Sequence, residues 1–147
     1  MLTQTRDDGY LLTEDRERVD LELVHRWLST DSYWAAGRSL DTMRGAIEGS
    51  VPVGVYAPDG RQVAFARAVT DGAVFAYLAD VYVDRDCRGL GLGTWLVRAL
   101  RDHLRAAGVR RFLLVTKDAH ELYARLGFTD VQPGRWMECD LRGRAVT

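Results

Sequence analysis

Apolar positions along this chain follow a helical period first and a strand period later. In "DLELVHRWL" (20–28) Leu21, Val24 and Leu28 fall on one helical face, and Asp20 is placed to cap it. Ser39 can cap a second, short helix from Leu40 to Glu48, with Met43 and Ile47 turned inward. Between them "STDSYWAAGR" (29–38) has no clean period and reads as loop. Upstream, "GYLLT" (9–13) is a short strand. After residue 50 the pattern changes. "VPVGVYA" (51–57) and "QVAFARAV" (62–69) flank the turn sequence "PDGR" and read as a hairpin. "AVFAYLADVYV" (73–83) is a long apolar strand rich in β-branched and aromatic residues.

Helical spacing returns in Thr94–Ala107, where Trp95, Leu96, Ala99, Leu100, His103 and Leu104 form one broad face, and Gly108 stops the helix. "RRFLLVT" (110–116) is continuously apolar and predicts a fully buried strand. In "DAHELYARLGF" Asp118 and Glu121 match a capping box, and Gly127 fits a helix end. "RWMECDL" (135–141) alternates and predicts a last strand. The order is β-α-α-β-β-β-α-β-α-β. Strands precede the two βα units, so the expected class is α/β with a mixed sheet, antiparallel first and partly parallel later, and helices on both faces.

Composition narrows this picture a little. The length of 147 residues suits one domain spanning 1–147, and 47% hydrophobic content is enough for a core. A net charge of −1 supplies no bulk field toward nucleic acid or an anionic membrane. Cys87 and Cys139 form no CxxC, so no metal site is expected. The first ten residues lack the basic start and apolar core of a signal peptide, and no apolar run approaches the roughly 20 residues of a membrane span. The expected location is the cytoplasm.

The chemistry concentrates in "RGLGLGTW" (88–95), where Gly89, Gly91 and Gly93 alternate just ahead of a helix. A nucleotide P-loop needs a lysine after its last glycine, and Gly93 is followed by Thr94. A dinucleotide fingerprint needs GxGxxG early in a βαβ unit, and this spacing is two and two, late in the chain. Three glycines are costly in chain entropy if they do nothing. The remaining reading is a pyrophosphate held by backbone N–H groups at a helix N-terminus, with Arg88 adding a charge-assisted bond.

"VYVDRDCRGLGLG" resembles the acetyl-CoA signature R/Q-x-x-G-x-G/A of GNAT-type N-acetyltransferases, met by Arg88, Gly91 and Gly93. "ELYARLGF" (121–128) resembles that family's second hallmark, L-Y-x-x-x-G-F. The resemblance covers residues 50–141 well and residues 1–49 in element order only. It implies a GNAT fold whose central strand splays from its parallel neighbour. It also implies acetyl-CoA as acyl donor, a small-molecule or amino-acid-like amine as acceptor, no metal, and a homodimer.

Residue by residue, the resemblance gives the backbone of Val81, Tyr82 and Val83 to the pantetheine arm. The amides of Arg88, Gly89, Leu90, Gly91, Leu92, Gly93 and Thr94 go to the pyrophosphate. Tyr123 matches the tyrosine that protonates the departing thiolate, or else packs its ring under the cofactor. Asp80, a carboxylate in an apolar run, is a candidate base for the attacking amine. Its other reading is a structural carboxylate bonded to backbone or to an arginine such as Arg67. His120 is a lesser candidate base; His25 and His103 read as helix-face residues. Tyr33 and Trp34 form an acceptor wall or close the core. Arg38 would pair a carboxylate on the acceptor, while Glu22 and Asp31 offer charge to an amine. A non-catalytic CoA-binding module or sensor is the competing class, and an NAD(P)-binding protein a third.

Overall fold

The computed structural model describes residues 1–143 and divides into two compact units, Met1–Thr116 and the residues from Lys117 onward. The first unit holds a six-stranded sheet in the order β1-β2-β3-β4-β5-β6. Its strands are β1 (Thr3–Thr5), β2 (Leu11–Thr13), β3 (Val51–Tyr56), β4 (Gln62–Thr70), β5 (Phe75–Val83) and β6 (Arg111–Leu113). Neighbours are antiparallel up to β5, and β5–β6 is parallel. The mixed α/β class expected from the pattern is what the chain adopts.

Two helices connect β2 to β3, and their caps were legible. α1 (Leu21–Asp31) begins at Asp20, whose carboxylate accepts from the Leu23 amide. α2 (Leu40–Glu48) begins at Ser39, whose hydroxyl accepts from the Thr42 amide. Val24, Trp27, Leu28, Met43 and Ile47 from these helices form one buried cluster with Phe65 of β4 and Tyr82 of β5. α3 (Leu92–Ala106) joins β5 to β6 and lies on β3, β4 and β5. Consecutive strand residues face opposite ways, yet Val63, Ala64, Phe65 and Ala66 are all fully buried, so β4 is covered on both faces.

One glycine in β3 marks a close approach. A Cβ at Gly54 would lie 2.6 Å from the Tyr56 hydroxyl oxygen and 2.9 Å from its ring. Tyr56 cannot swing away freely: it is buried, its hydroxyl donates to the Arg18 carbonyl at 2.7 Å, and the Arg18 guanidinium covers its ring. Burial pushes the Tyr56 phenol up to about 12. Gly54→Ala should therefore cost about 1–3 kcal/mol of stability by overpacking, read as a lower urea midpoint at unchanged slope. A midpoint equal to wild type would show that Tyr56 has room to move.

Four expectations need correction. β1 was not anticipated, because "TQT" is polar and exposed and joins the sheet through its backbone and a Thr3–Thr13 hydroxyl contact at 3.1 Å. β6 is shorter than 110–116 and only half-buried, because as the outer strand it pairs on one side. In the second unit, α4 (His120–Ala124) starts after Ala119 with no side-chain cap. Asp118 thus lies one residue ahead of the cap position, and the capping box does not form. Residues 135–141 are not a strand among the described residues: Trp136, Met137 and Leu141 are exposed, and alternation alone does not make a ladder. The end of α4 is as expected, with the Gly127 amide on the Ala124 carbonyl and the Phe128 amide on the Tyr123 carbonyl. No described helix is long and apolar enough to cross a membrane.

Candidate functional site

The glycine loop leaves β5 through a single turn, Arg85–Cys87, and enters α3 two residues earlier than the helical pattern suggested. Gly89 has φ 85° and Gly91 φ 75°, a left-handed backbone that a Cβ opposes by roughly 1–2 kcal/mol. Gly91 is the N-cap of α3 and supplies no side-chain cap. The first amides of α3 therefore have neither an intrahelical partner nor a capping oxygen, and the helix dipole adds positive potential there. Leu92 is buried, while Gly93 and Thr94 are half-buried and occupy the first turn beside it.

The strand ahead of the loop has a half-paired edge. β6 pairs only with Phe75, Ala76 and Tyr77. On that side Val81, Tyr82 and Val83 have no strand partner among the described residues. The Tyr82 side chain is committed elsewhere: its ring stacks on Trp27 at 5.2 Å and its hydroxyl donates to Asp31.

Arg88 is not a free cation. Its Nε donates to the Val83 carbonyl at 3.0 Å, its Nη2 lies 3.5 Å from Asp31, and its guanidinium covers the Tyr82 ring at 5.3 Å. Asp31, at the C-terminal end of α1, also takes both nitrogens of an Arg85 fork. The Arg85 bond, followed by that of Tyr82, holds its carboxyl far below the usual carboxylate range. Asp31 thus ties the end of α1 to this loop through Tyr82, Arg85 and Arg88. Glu22 lies exposed in the first turn of α1.

A second cluster gathers on Asp80. The register of β4 and β5 shifts between Phe65 and Arg67, so that β5 carries one extra residue, and Asp80 takes φ 54° at that bulge. Its carboxylate accepts from Trp34 Nε1 at 2.8 Å, Arg38 Nη1 at 2.7 Å and Arg67 Nε at 2.6 Å. Burial raises its pKa, but the Arg38 and Arg67 bonds outweigh that and leave it below the ordinary value. A carboxylate so held has little affinity for a proton, which suits an organising role better than that of a general base. Arg67 also donates to the Ser50 hydroxyl at 3.0 Å.

The structure thus brings Trp34, Arg38 and Asp80 together, three residues separately singled out in the sequence. Tyr33 packs edge-on against Trp34 at 5.0 Å, and both rings are partly exposed. His25 Nε2 lies 2.7 Å from the Arg38 carbonyl, and His103 Nε2 lies 3.0 Å from Glu14, both helix-face contacts. In the second unit Tyr123 sits on α4 with its ring edge-on to Phe128 at 5.8 Å. Sequence reasoning missed Arg6, which reaches the glycine loop from the β1–β2 turn. Its Nη1 donates to the Leu90 carbonyl at 2.9 Å. No local pattern in "TQTRDD" signals that contact.

Comparison with known proteins gives a consistent result. The family model described as acetyltransferase (GNAT) family matches residues 21–128. A Gibberella zeae protein named as a candidate acetyltransferase is 30% identical over 146 residues, covering 86% of this chain and 82% of that one. A crystal structure from Xanthomonas campestris pv. campestris, of a candidate acetyltransferase placed in the GNAT family, is 42% identical. It superposes with TM-score 0.86 over 95% of this chain and 97% of that one. A Mycobacterium tuberculosis protein solved in complex with CoA shares the fold at 22% identity and TM-score 0.68, over 82% of this chain and 72% of that one.

Proposed function

Because the chain belongs to the acetyltransferase (GNAT) family, we propose that it moves an acetyl group from acetyl-CoA to the primary amine of a small, amino-acid-like acceptor. Transfer is by direct attack within a ternary complex. The observation that carries this reading is the left-handed glycine loop opening into an uncapped α3 N-terminus, directly after a β5 edge that β6 leaves unpaired.

Bound acetyl-CoA supplies the activated thioester. The amides from Arg88 to Thr94 hold its diphosphate, and the backbone of Val81, Tyr82 and Val83, on the side where β6 does not pair, holds the pantetheine arm. Tyr33 and Trp34 form one wall of the acceptor site. Arg38 and Arg67 share the single carboxylate of Asp80, so the cluster carries one excess positive charge. That excess supports an acceptor with a carboxylate near its amine. Asp80 orients Trp34 and Arg38, and the amine proton leaves through water.

Tyr123, at the tyrosine of the L-Y-x-x-x-G-F match, donates the proton to the departing thiolate. A phenol near 10 and a thiol near 8.5 make this transfer feasible close to neutrality. Tyr123→Phe should lower kcat by about 10- to 100-fold, with the KM for acetyl-CoA little changed. An unchanged kcat in a thiol-release assay removes the role.

The reading as a whole is tested by thermal shift with acetyl-CoA, CoA and NAD. Ligand at a hundredfold its Kd should raise the Tm by about 5–10 °C for either CoA species and leave it unmoved for NAD. No shift at millimolar CoA overturns the donor assignment. Thiol release with a panel of amines, some carrying a carboxylate, then tests turnover and the acceptor class.

A further inference from the structure

The N-terminal hairpin makes two separate contacts with the region assigned above to the donor. Arg6 Nη1 donates to the Leu90 carbonyl, the peptide that lies between the left-handed Gly89 and Gly91. Gln4 of β1 accepts from Trp95 Nε1 at 2.9 Å, in the first turns of α3. The Arg6 guanidinium also lies over the Trp95 ring at 5.3 Å and over Tyr10 at 5.5 Å. A Cβ built on Gly91 would meet one atom within 4 Å, Arg6 Nη1 at 3.9 Å.

Arg6 is itself held in place. Asp8 takes its Nε at 3.1 Å and pairs with its Nη2, so two of the three nitrogens of the fork are fixed within the hairpin and the third is aimed at the loop. The Asp8 bond raises the Arg6 pKa above its ordinary value, so the charge is permanent. The Arg6 side chain is only one quarter exposed.

Each glycine of this loop has more backbone freedom to lose than any other residue type would. Nothing else among the described residues fixes its central carbonyl. We propose that Arg6 is a positioning residue for the acyl donor. By anchoring the Leu90 carbonyl it holds the loop in the one arrangement that presents the following amides together to the diphosphate. The inference rests on the donor reading given above. It makes the hairpin part of the donor site, although β1 and β2 lie at the far end of the sheet order from β5.

Arg6→Ala, Arg6→Lys and Asp8→Asn separate the possibilities, with CoA binding read by calorimetry and loop order by hydrogen exchange of the ligand-free protein. Arg6→Ala should weaken CoA binding about tenfold, the scale of losing one charge-assisted bond. Exchange should rise in residues 88–95 and stay unchanged in α1 and β4. Arg6→Lys, which keeps a donor for the Leu90 carbonyl, should recover part of the affinity. Asp8→Asn leaves the exposed hairpin intact and should weaken binding about two- to threefold through the less firmly held guanidinium. CoA affinity within twofold of wild type in Arg6→Ala overturns the inference. So does a rise in exchange spread over the whole sheet, or failure of lysine to recover any affinity in a folded protein. If the wild type itself binds no CoA, the donor reading falls, and that result is distinct from a wild type that binds and an Arg6→Ala variant that binds equally well.

Discussion

Gly91→Glu is expected to weaken donor binding by at least about a hundredfold while the protein stays folded. Two penalties combine. A side chain at φ 75° costs roughly 1–2 kcal/mol in the conformation the loop now holds, so the variant drifts away from it. A carboxylate at the mouth of the α3 N-terminus then opposes the diphosphate and competes for the same amides. Together these reach about 3 kcal/mol, which is a factor of a hundred. The fold should survive, because a Cβ there meets only the tip of Arg6 at 3.9 Å. Calorimetry with CoA and a melting curve read the two halves separately. A CoA Kd within tenfold of wild type, in a variant with a wild-type Tm, means the diphosphate sits elsewhere.

Asp80→Ala is expected to be among the costlier single changes in the first unit. Its carboxylate side chain is 1% exposed and neutralises part of two arginines that are 19% and 13% exposed. Removing one partner of a buried pair costs about 3–5 kcal/mol, and the residual exposure of Arg38 and Arg67 places this case near the lower figure. The effect also carries a pH signature. Burial alone would raise the Asp80 pKa, but Arg38 and Arg67 bring it below the ordinary value in the folded state. The unfolded chain therefore holds the proton more tightly. The stabilisation is complete above the unfolded value of about 3.9 and is lost as pH falls through the lower, folded value. Wild type and Asp80→Ala should differ most above about pH 5 and converge as the solution is acidified below pH 4. A gap that stays constant from pH 6 to pH 2.5 contradicts the ion-pair account and leaves only packing.

The caps at Asp20 and Ser39, the 51–70 hairpin and the glycine loop were readable because each depends on residues close together in the chain. A cap is a side chain and an amide three residues apart. A glycine loop declares itself by steric permission alone. β1 was unreadable for the opposite reason: "TQT" buries no apolar face and is a strand through its pairing with the distant β2. "RWMECDL" misled in the other direction, since alternation describes what a pleat could accept and does not supply the neighbour. The Asp80 cluster lay between these cases. A lone acid in an apolar strand announced that partners were needed, and Arg67 was foreseeable. That Arg38 and Trp34 would join it depends on how the 29–38 loop folds over the sheet, which no local period records. Asp31 and Arg38 were both read as free charges for an acceptor. Each also bonds a residue at least 40 positions away, which no local pattern announces.

Asp80 is also the single non-glycine residue with positive φ among the described residues. The position therefore sets two conditions from different parts of chemistry. The backbone admits glycine, asparagine or aspartate with little strain. The arginines admit aspartate or glutamate. Only aspartate lies in both sets. A library of all twenty residues at this codon, selected for folded protein, should return aspartate well ahead of every other residue: glutamate keeps the charge but carries roughly 1–2 kcal/mol of backbone strain, while glycine and asparagine suit the backbone but lose the ion pairs. At most buried ion pairs, where the backbone is indifferent, glutamate would sit much closer to aspartate.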